Sequence, residues 1–207
     1  IKTPKPLLKL NGLTLLEHCI NLIKYLGIKK ILINSFYLKG QISEFIENHN
    51  FDVEINIIED GNHILNTGGG ILNLARKCDE ESFLVFNPDT VWNNNYAPEI
   101  RNMIDLHQKK KFENFLLLVD KKLSFDKNLK GDFGLNDDII IHSKKKYIYT
   151  GCQILNKLIF KNENINNFPI SKTWRYLIKQ NQLRGFESKL KFYHVTDFET
   201  FKKLQDL

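Results

Sequence analysis

"DVEINIIEDGNHILNTGGGILNLARKCDEESFLVFNPD", residues 52–89, carries the pattern on which the fold turns. Val53, Ile55 and Ile57 alternate with polar residues, the two-residue period of a strand. "GGGILNLARKC" (68–78) has the longer period of a helix, and "SFLVFNPD" (82–89) is an apolar run that stops at a turn. The same order extends outward on both sides. Upstream, "TLLEHCINLIKYLG" carries a helical stripe of Leu15, Leu16, Cys19, Ile20, Ile23 and Leu26, with Gly27 as its stop. It is followed by the strand "IKKILINS" and the short amphipathic helix "QISEFIENH". Downstream, "PEIRNMIDLHQKKK" opens a helix near Pro98 and precedes the strand "NFLLLVD".

Strands alternating with helices of this length predict an α/β fold with a doubly wound, mostly parallel sheet of Rossmann-like type. After Asp120 the texture changes. "GDFGLNDDIIIHSKKKYIYTGCQIL" reads as a small antiparallel extension of short strands. A helix through "KTWRYLIKQNQ", a strand "KFYHVTD" and a closing helix "FETFKKLQ" follow, with Asp197 as the last helix's N-cap. Residues 1–207 are read as a single domain.

The 207 residues are 42% hydrophobic and 26% charged, ordinary for a globular protein, and no apolar run is long enough to span a bilayer. No membrane partner is expected, and a cytoplasmic location is. Cys19, Cys78 and Cys152 share no metal-ligand spacing and read as reduced thiols. The net charge of +6 invites a nucleic-acid reading. The clusters Lys109-Lys110-Lys111 and Lys144-Lys145-Lys146, at a helix end and in a hairpin, come with no aromatic stacking platform, so they read as solvated faces and no nucleic-acid partner is expected. Nothing in the sequence fixes the oligomeric state.

Gly68-Gly69-Gly70 stands at the mouth of a helix. One reading is a flexible turn; the other is a backbone left bare for a ligand beside a helix N-terminus. A Walker loop is excluded by the continuation Ile71-Leu72-Asn73, and the dinucleotide fingerprint by the missing third glycine at Asn73. Asp89 follows an apolar strand, where open α/β sheets bind ligands. It is either the third residue of an Asn87-Pro88-Asp89-Thr90 turn or a carboxylate for Mg²⁺. Lys5 lies between Pro4 and Pro6, which restrict where it can point.

In order, "KTPKPLLKLNG", "NTGGGI", "FLVFNPD", "GDF" and "YTGCQIL", with "TWRYLI" and "FYHVTDFETF" near the end, resemble the sugar-1-phosphate nucleotidyltransferases, the N-acetylmuramate α-1-phosphate uridylyltransferase group above all, often labelled mannose-1-phosphate guanylyltransferase. The resemblance implies Mg²⁺-dependent transfer of a nucleotidyl group from a nucleoside triphosphate to a sugar 1-phosphate. It implies Lys5 on the phosphates, Asp89 on Mg²⁺, and Asn66, Thr67, Gly68, Gly69 and Asn87 around the nucleotide. Gly131, Asp132, Phe133, Thr150 and Gly151 match the sugar side.

Three features depart from the family pattern. Asn66 stands where many relatives have Glu. His194 stands where a second metal-binding Asp is common and reads either as a ligand at the metal or phosphates or as a structural residue, imidazole suiting Mg²⁺ less well than oxygen. The family's opening strand and Gly-x-Gly-x-Arg loop are not in the sequence, which begins with Ile1, so a further N-terminal stretch is expected. The competing reading is a non-catalytic homologue that binds nucleotide or sugar.

Overall fold

The structure is a computed structural model that describes residues 3–110 and 114–207. Lys2 of the first motif and Lys111 of the first basic cluster lie outside the described residues.

A two-strand hairpin, β1 (Lys9–Leu10) and β2 (Leu13–Thr14), leads directly into α1 (Leu15–Tyr25). Thr14 starts this helix with a capping box: its hydroxyl accepts from Glu17 N–H, while the Glu17 carboxylate accepts from Thr14 N–H at 2.7 Å. Gly27, at φ +88°, supplies the left-handed residue beyond its C-terminus. Then come β3 (Lys30–Ser35), α2 (Lys39–Glu47), β4 (Glu54–Glu59), α3 (Asn66–Ala75) and β5 (Ser82–Phe86). They are followed by α4 (Ala97–Lys110), β6 (Phe115–Asp120), a hairpin of β7 (Gly134–Asn136) and β8 (Ile139–Ile141), and the long β9 (Tyr147–Asn156). The chain closes with α5 (Ile170–Lys179), β10 (Arg184–Ser188) and α6 (Phe198–Gln205), the last capped by Asp197 through a 2.8 Å bond from Thr200 N–H.

Six strands form one sheet in the order β5-β9-β6-β10-β8-β7. β6 runs through its middle, and residues 115–119 are all buried. Phe115 and Leu117 pack toward α1 and α4, while Leu116 and Leu118 pack toward α3 and α5. A strand covered on both faces must be apolar at every position, which is why "FLLLV" does not alternate.

The expectation of a mostly parallel sheet is wrong for this large sheet. Four of its five pairings are antiparallel, and β6 with β10 is the single parallel one among the described residues. The physical reason lies in β9, which inserts between β5 and β6 and runs antiparallel to both. Alternation along the chain specifies strand–helix units, but it does not say which strands become neighbours. "YTGCQIL", expected within a small antiparallel extension, is thus an interior strand of the main sheet. The segment 191–197, expected as a strand, makes isolated bridges only, Ser124 with Phe192 and Thr90 with His194. β10 carries no apolar alternation and was not expected.

β3 and β4 form a separate two-stranded parallel sheet. Every residue of β3 and every residue of β5 lines one slot of about 960 Å³, whose walls also include Ile20, Ile23, Ile71 and Ile104. Lining by consecutive residues, rather than by alternate ones, means that each strand presents its edge to the slot.

Candidate functional site

Lys5 sits in a 3-10 turn (Lys5–Leu7) that Pro4 and Pro6 preset, closed by Leu7 N–H donating to Pro4 O at 2.9 Å. Its ammonium reaches Asp89 Oδ2 at 2.9 Å. Asp89 lies just past the C-terminal end of β5, so two motifs far apart in sequence meet where an α/β sheet offers its ligand site. The pair is partly solvated, with side-chain exposures of 37% and 28%. Asp89 Oδ1, by contrast, is buried and has no hydrogen-bond partner among the described residues. A buried carboxylate oxygen without a donor is the atom a cation would satisfy.

The segment before α6 supplies the third member. Val195 N–H donates to Asp89 O at 2.9 Å, and Thr90 bridges antiparallel to His194. These bonds bring His194 Nδ1 to 3.7 Å from Asp89 Oδ1 and 3.4 Å from Thr90 Oγ1. Burial lowers the imidazole pKa below its usual 6.5; Asp89 pulls the other way, and Lys5 adds to the lowering. Around neutral pH, His194 is therefore an uncharged neighbour of the carboxylate.

The wall opposite Asp89 comes from an irregularity in β9. Leu116 pairs with Gln153 and Leu118 with Tyr149, so Thr150, Gly151 and Cys152 together oppose Leu117 alone. Thr150 is buried, and its hydroxyl repairs the ladder by donating to Leu117 O at 2.9 Å, while its own carbonyl accepts from Thr90 Oγ1 at 2.6 Å. Gly151 takes φ +95° and lets Asn87 approach, with Asn87 N–H donating to Gly151 O at 2.7 Å. A Cβ on Gly151 would stand 3.0 Å from Asn87 Cβ. Trp92 Nε1–H fixes the next link by donating to Asn87 O at 2.8 Å.

The glycine run is not a loop. All three glycines are buried inside α3. A Cβ on Gly68 would meet the Phe168 ring at 2.5 Å, one on Gly69 would meet Asn166 O, and one on Gly70 would meet Asn34. The N–H groups of Gly68 and Gly69 both donate to Phe168 O, at 2.9 and 3.1 Å. The bare backbone thus receives the chain segment 166–168, and these two helix-terminal donors are already used. Asn66 and Thr67, just before, remain exposed, with Asn66 at φ +61° and its side-chain oxygen accepting from Thr67 N–H.

Thr67 and Asn87 stand between the large slot and a second cavity of about 240 Å³, which Tyr149, Gln153, Ile170 and Trp174 help to line. Asp132 approaches from the sheet side: its Oδ2 accepts from Tyr149 N–H at 2.9 Å, and burial raises its pKa above the usual carboxylate value. Phe133 packs edge-on against Trp174, with ring centroids 5.8 Å apart. Gly131 is pressed against the backbone at Lys145, where a Cβ would not fit. Tyr149, Gln153 and Trp174 were not among the expected site residues. Tyr149 and Gln153 both lie in "YIYTGCQIL", four residues apart and so on one face of the strand, but alternation alone does not say which cavity that face lines.

The described residues contain no group of three His, Cys, Asp or Glu side chains that could enclose a metal, and no helix long and apolar enough to cross a membrane. Comparison with known proteins agrees with the geometry. Mannose-1-phosphate guanylyltransferase of Mycobacterium tuberculosis is 28% identical over 120 residues, 58% of this chain, so the aligned part spans about a third (32%) of that relative. D-glycero-alpha-D-manno-heptose 1-phosphate guanylyltransferase of Aneurinibacillus thermoaerophilus is 26% identical over 212 residues, covering 98% of this chain and 88% of the relative. Among solved structures, HddC from Yersinia pseudotuberculosis superposes with a TM-score of 0.76 at 18% identity, over all of this chain and 90% of that one. The inositol-1-phosphate CTP transferase of T. maritima reaches 0.77 at 12% identity, over 99% and 86%. At such identities these two matches speak for the fold alone. Residues 1–125, more than half of the sequence, match the nucleotidyl transferase family, and the chain belongs to that family.

Proposed function

We propose that the chain transfers a nucleotidyl group from a nucleoside triphosphate to a sugar 1-phosphate, with UTP and N-acetylmuramate 1-phosphate as its substrates and peptidoglycan recycling in the cytoplasm as its setting. The observation that carries the reading is the Lys5–Asp89 pair beyond β5, with one carboxylate oxygen left buried and without a donor. An oxygen of the sugar phosphate attacks the α-phosphorus of the triphosphate. The bond from that phosphorus to its bridging oxygen breaks, and pyrophosphate leaves with the electron pair. Such a transfer needs in-line positioning and neutralised charge more than covalent help.

Lys5 is free to exchange its half-exposed carboxylate partner for phosphate oxygens. Asp89 would hold Mg²⁺, which takes one or two protein carboxylates and completes its shell with phosphates and water. When bound, Mg²⁺ supplies neutralisation of the phosphate charge. His194, uncharged and 3.7 Å from Asp89 Oδ1, borders the oxygen that Mg²⁺ would take. Asn66, Thr67 and Asn87 edge the nucleotide, with Gly68 and Gly69 setting the height of that edge through their packing on Phe168. Asp132, Thr150 and Gly151 shape the sugar side, with Gly131 and Phe133 behind them. The apolar slot between β3 and β5 supports the further proposal that an extended segment with its Gly-x-Gly-x-Arg loop completes the sheet.

The test is pyrophosphate release with Mg²⁺ from a panel of nucleoside triphosphates and sugar 1-phosphates, N-acetylmuramate 1-phosphate included. Release that needs one triphosphate and one sugar phosphate together is the expected result. Silence across the panel from a folded protein, with and without the added N-terminal segment, would leave the non-catalytic binding homologue, the reading that His194 in place of a second carboxylate favours.

A further inference from the structure

The cavity of about 240 Å³ behind Asn87 is smaller than the roughly 300–1,000 Å³ of sites that enclose a drug-sized ligand. It suits one substituted ring rather than a whole nucleotide sugar. Its walls are of two kinds. Ile71, Pro169, Ile170 and the edge of Trp174 make an apolar side. The other side has two polar groups with unfilled capacity. The Tyr149 hydroxyl is buried and has no hydrogen-bond partner among the described residues. Gln153 is 1% exposed, and its Oε1 accepts from Trp174 Nε1–H at 3.0 Å. That bond fixes which way the amide points, and it leaves the Gln153 NH₂ group without a partner among the described residues.

Both polar side chains are held rigidly. The Tyr149 ring stacks edge-on against Trp174 at 4.9 Å, and its backbone N–H is held by Asp132. Unpaired polar groups in a buried wall are costly unless something arrives to pair them. The arriving group must accept from an amide N–H, exchange a hydrogen bond with a phenol and cover an apolar surface. A sugar hydroxyl meets the first two demands and leaves the apolar side bare. An acylamino group meets all three: its carbonyl accepts from Gln153, its N–H donates to the Tyr149 oxygen, and its alkyl end packs on Ile71, Ile170 and Trp174.

We propose that this cavity receives an acylamino substituent of the sugar phosphate and that Tyr149 and Gln153 are the residues that select for it, an inference that rests on the nucleotidyl transfer proposed above. Selection here comes from unfilled hydrogen bonds, so a sugar lacking the group leaves the wall unpaired and binds less well.

The experiment compares 2-acetamido-2-deoxyglucose 1-phosphate with glucose 1-phosphate. Binding is read without turnover from the fluorescence of Trp174, and kcat/KM from pyrophosphate release. The acetamido sugar should bind at least about tenfold tighter. Tyr149→Phe, which removes one oxygen and keeps the ring, should reduce that preference roughly 3- to 10-fold. Its thermal midpoint should not fall, because the lost hydroxyl had no partner. Gln153→Glu, which keeps the acceptor for Trp174 and removes both donors, should reduce the preference likewise. Equal binding and equal kcat/KM for the two sugars would overturn the selection while the transfer reading stands. A preference unchanged in both variants would remove these two residues from it. Binding of neither sugar, with no pyrophosphate released, would overturn the inference and the transfer reading together.

Discussion

Gly69→Ala separates a glycine that packs from a glycine that merely bends. In an ordinary helix interior this substitution stabilises by about 1 kcal/mol, because alanine loses less backbone entropy. In α3 the new Cβ would fall on Asn166 O and lie 3.1 Å from Leu65 Cβ. The segment 166–168 would have to withdraw, and Phe168 O would leave the N–H groups of Gly68 and Gly69 that it now accepts from. Overpacking costs about 1–3 kcal/mol and each lost hydrogen bond about 1 kcal/mol; after the gain in propensity, the net loss is about 2–4 kcal/mol. For a domain of this size that lowers the thermal midpoint by about 5–15 °C. The matched control is Gly40→Ala in α2, where a Cβ would meet nothing within 4 Å and stability should rise by about 0.5–1 kcal/mol. Both are read by urea and thermal unfolding followed by circular dichroism. A Gly69→Ala protein as stable as the Gly40→Ala protein would refute the claim that the glycine run exists for close packing.

Asp89→Asn should lower the rate of pyrophosphate release by about 10²–10³-fold and leave the fold intact, since a half-exposed ion pair contributes at most about 1 kcal/mol; wild-type turnover, measured across a Mg²⁺ titration, would make Asp89 a turn residue. His194 sets a pH dependence. Its folded pKa lies below the unfolded value, so on acidification the unfolded chain takes up the proton first. The stability it contributes is full above about pH 6.5 and is lost as pH falls toward the folded pKa. The stability difference between wild type and His194→Gln should therefore shift against wild type between pH 7 and 5, and a difference independent of pH would show that the ring is not buried neutral.

Local sequence carried the helices well. The stripe in α1 and its glycine stop, the closing helix and its Asp197 cap, and the apolar run of β5 all follow from short-range chemistry, and so does the reading of Asp89 as the residue at the strand's end. The meeting of Lys5 with Asp89 was legible only through the order of motifs, because no local rule says where a proline-flanked lysine points. The neighbour of β5 was not legible at all. β9 joins it from the other half of the chain, and strand pairing over such a distance is decided by the whole core. The bulge that seats β9 on Leu117 adds two residues and so keeps Tyr149 and Gln153 on the one face that alternation gives them, but which cavity that face meets was not legible. What the glycine run packs against was not legible for a related reason. Its lack of a Cβ was legible, but whether a ligand or the segment 166–168 uses the space depends on where α5 is anchored.

The two sheets are joined across the slot by side-chain packing and by the helices, with no ladder of backbone hydrogen bonds between β3 and β5. Cooperativity should therefore be uneven. The β3–β4 unit, paired only to itself, can part from the large sheet without breaking any of that sheet's ladder. Its slot-facing amides should exchange with solvent through this partial opening, whereas those of β6, covered on both faces, should wait for global unfolding. A chain built this way has a mechanical seam running beside Asp89, and whatever fills the slot would weld two folding units into one.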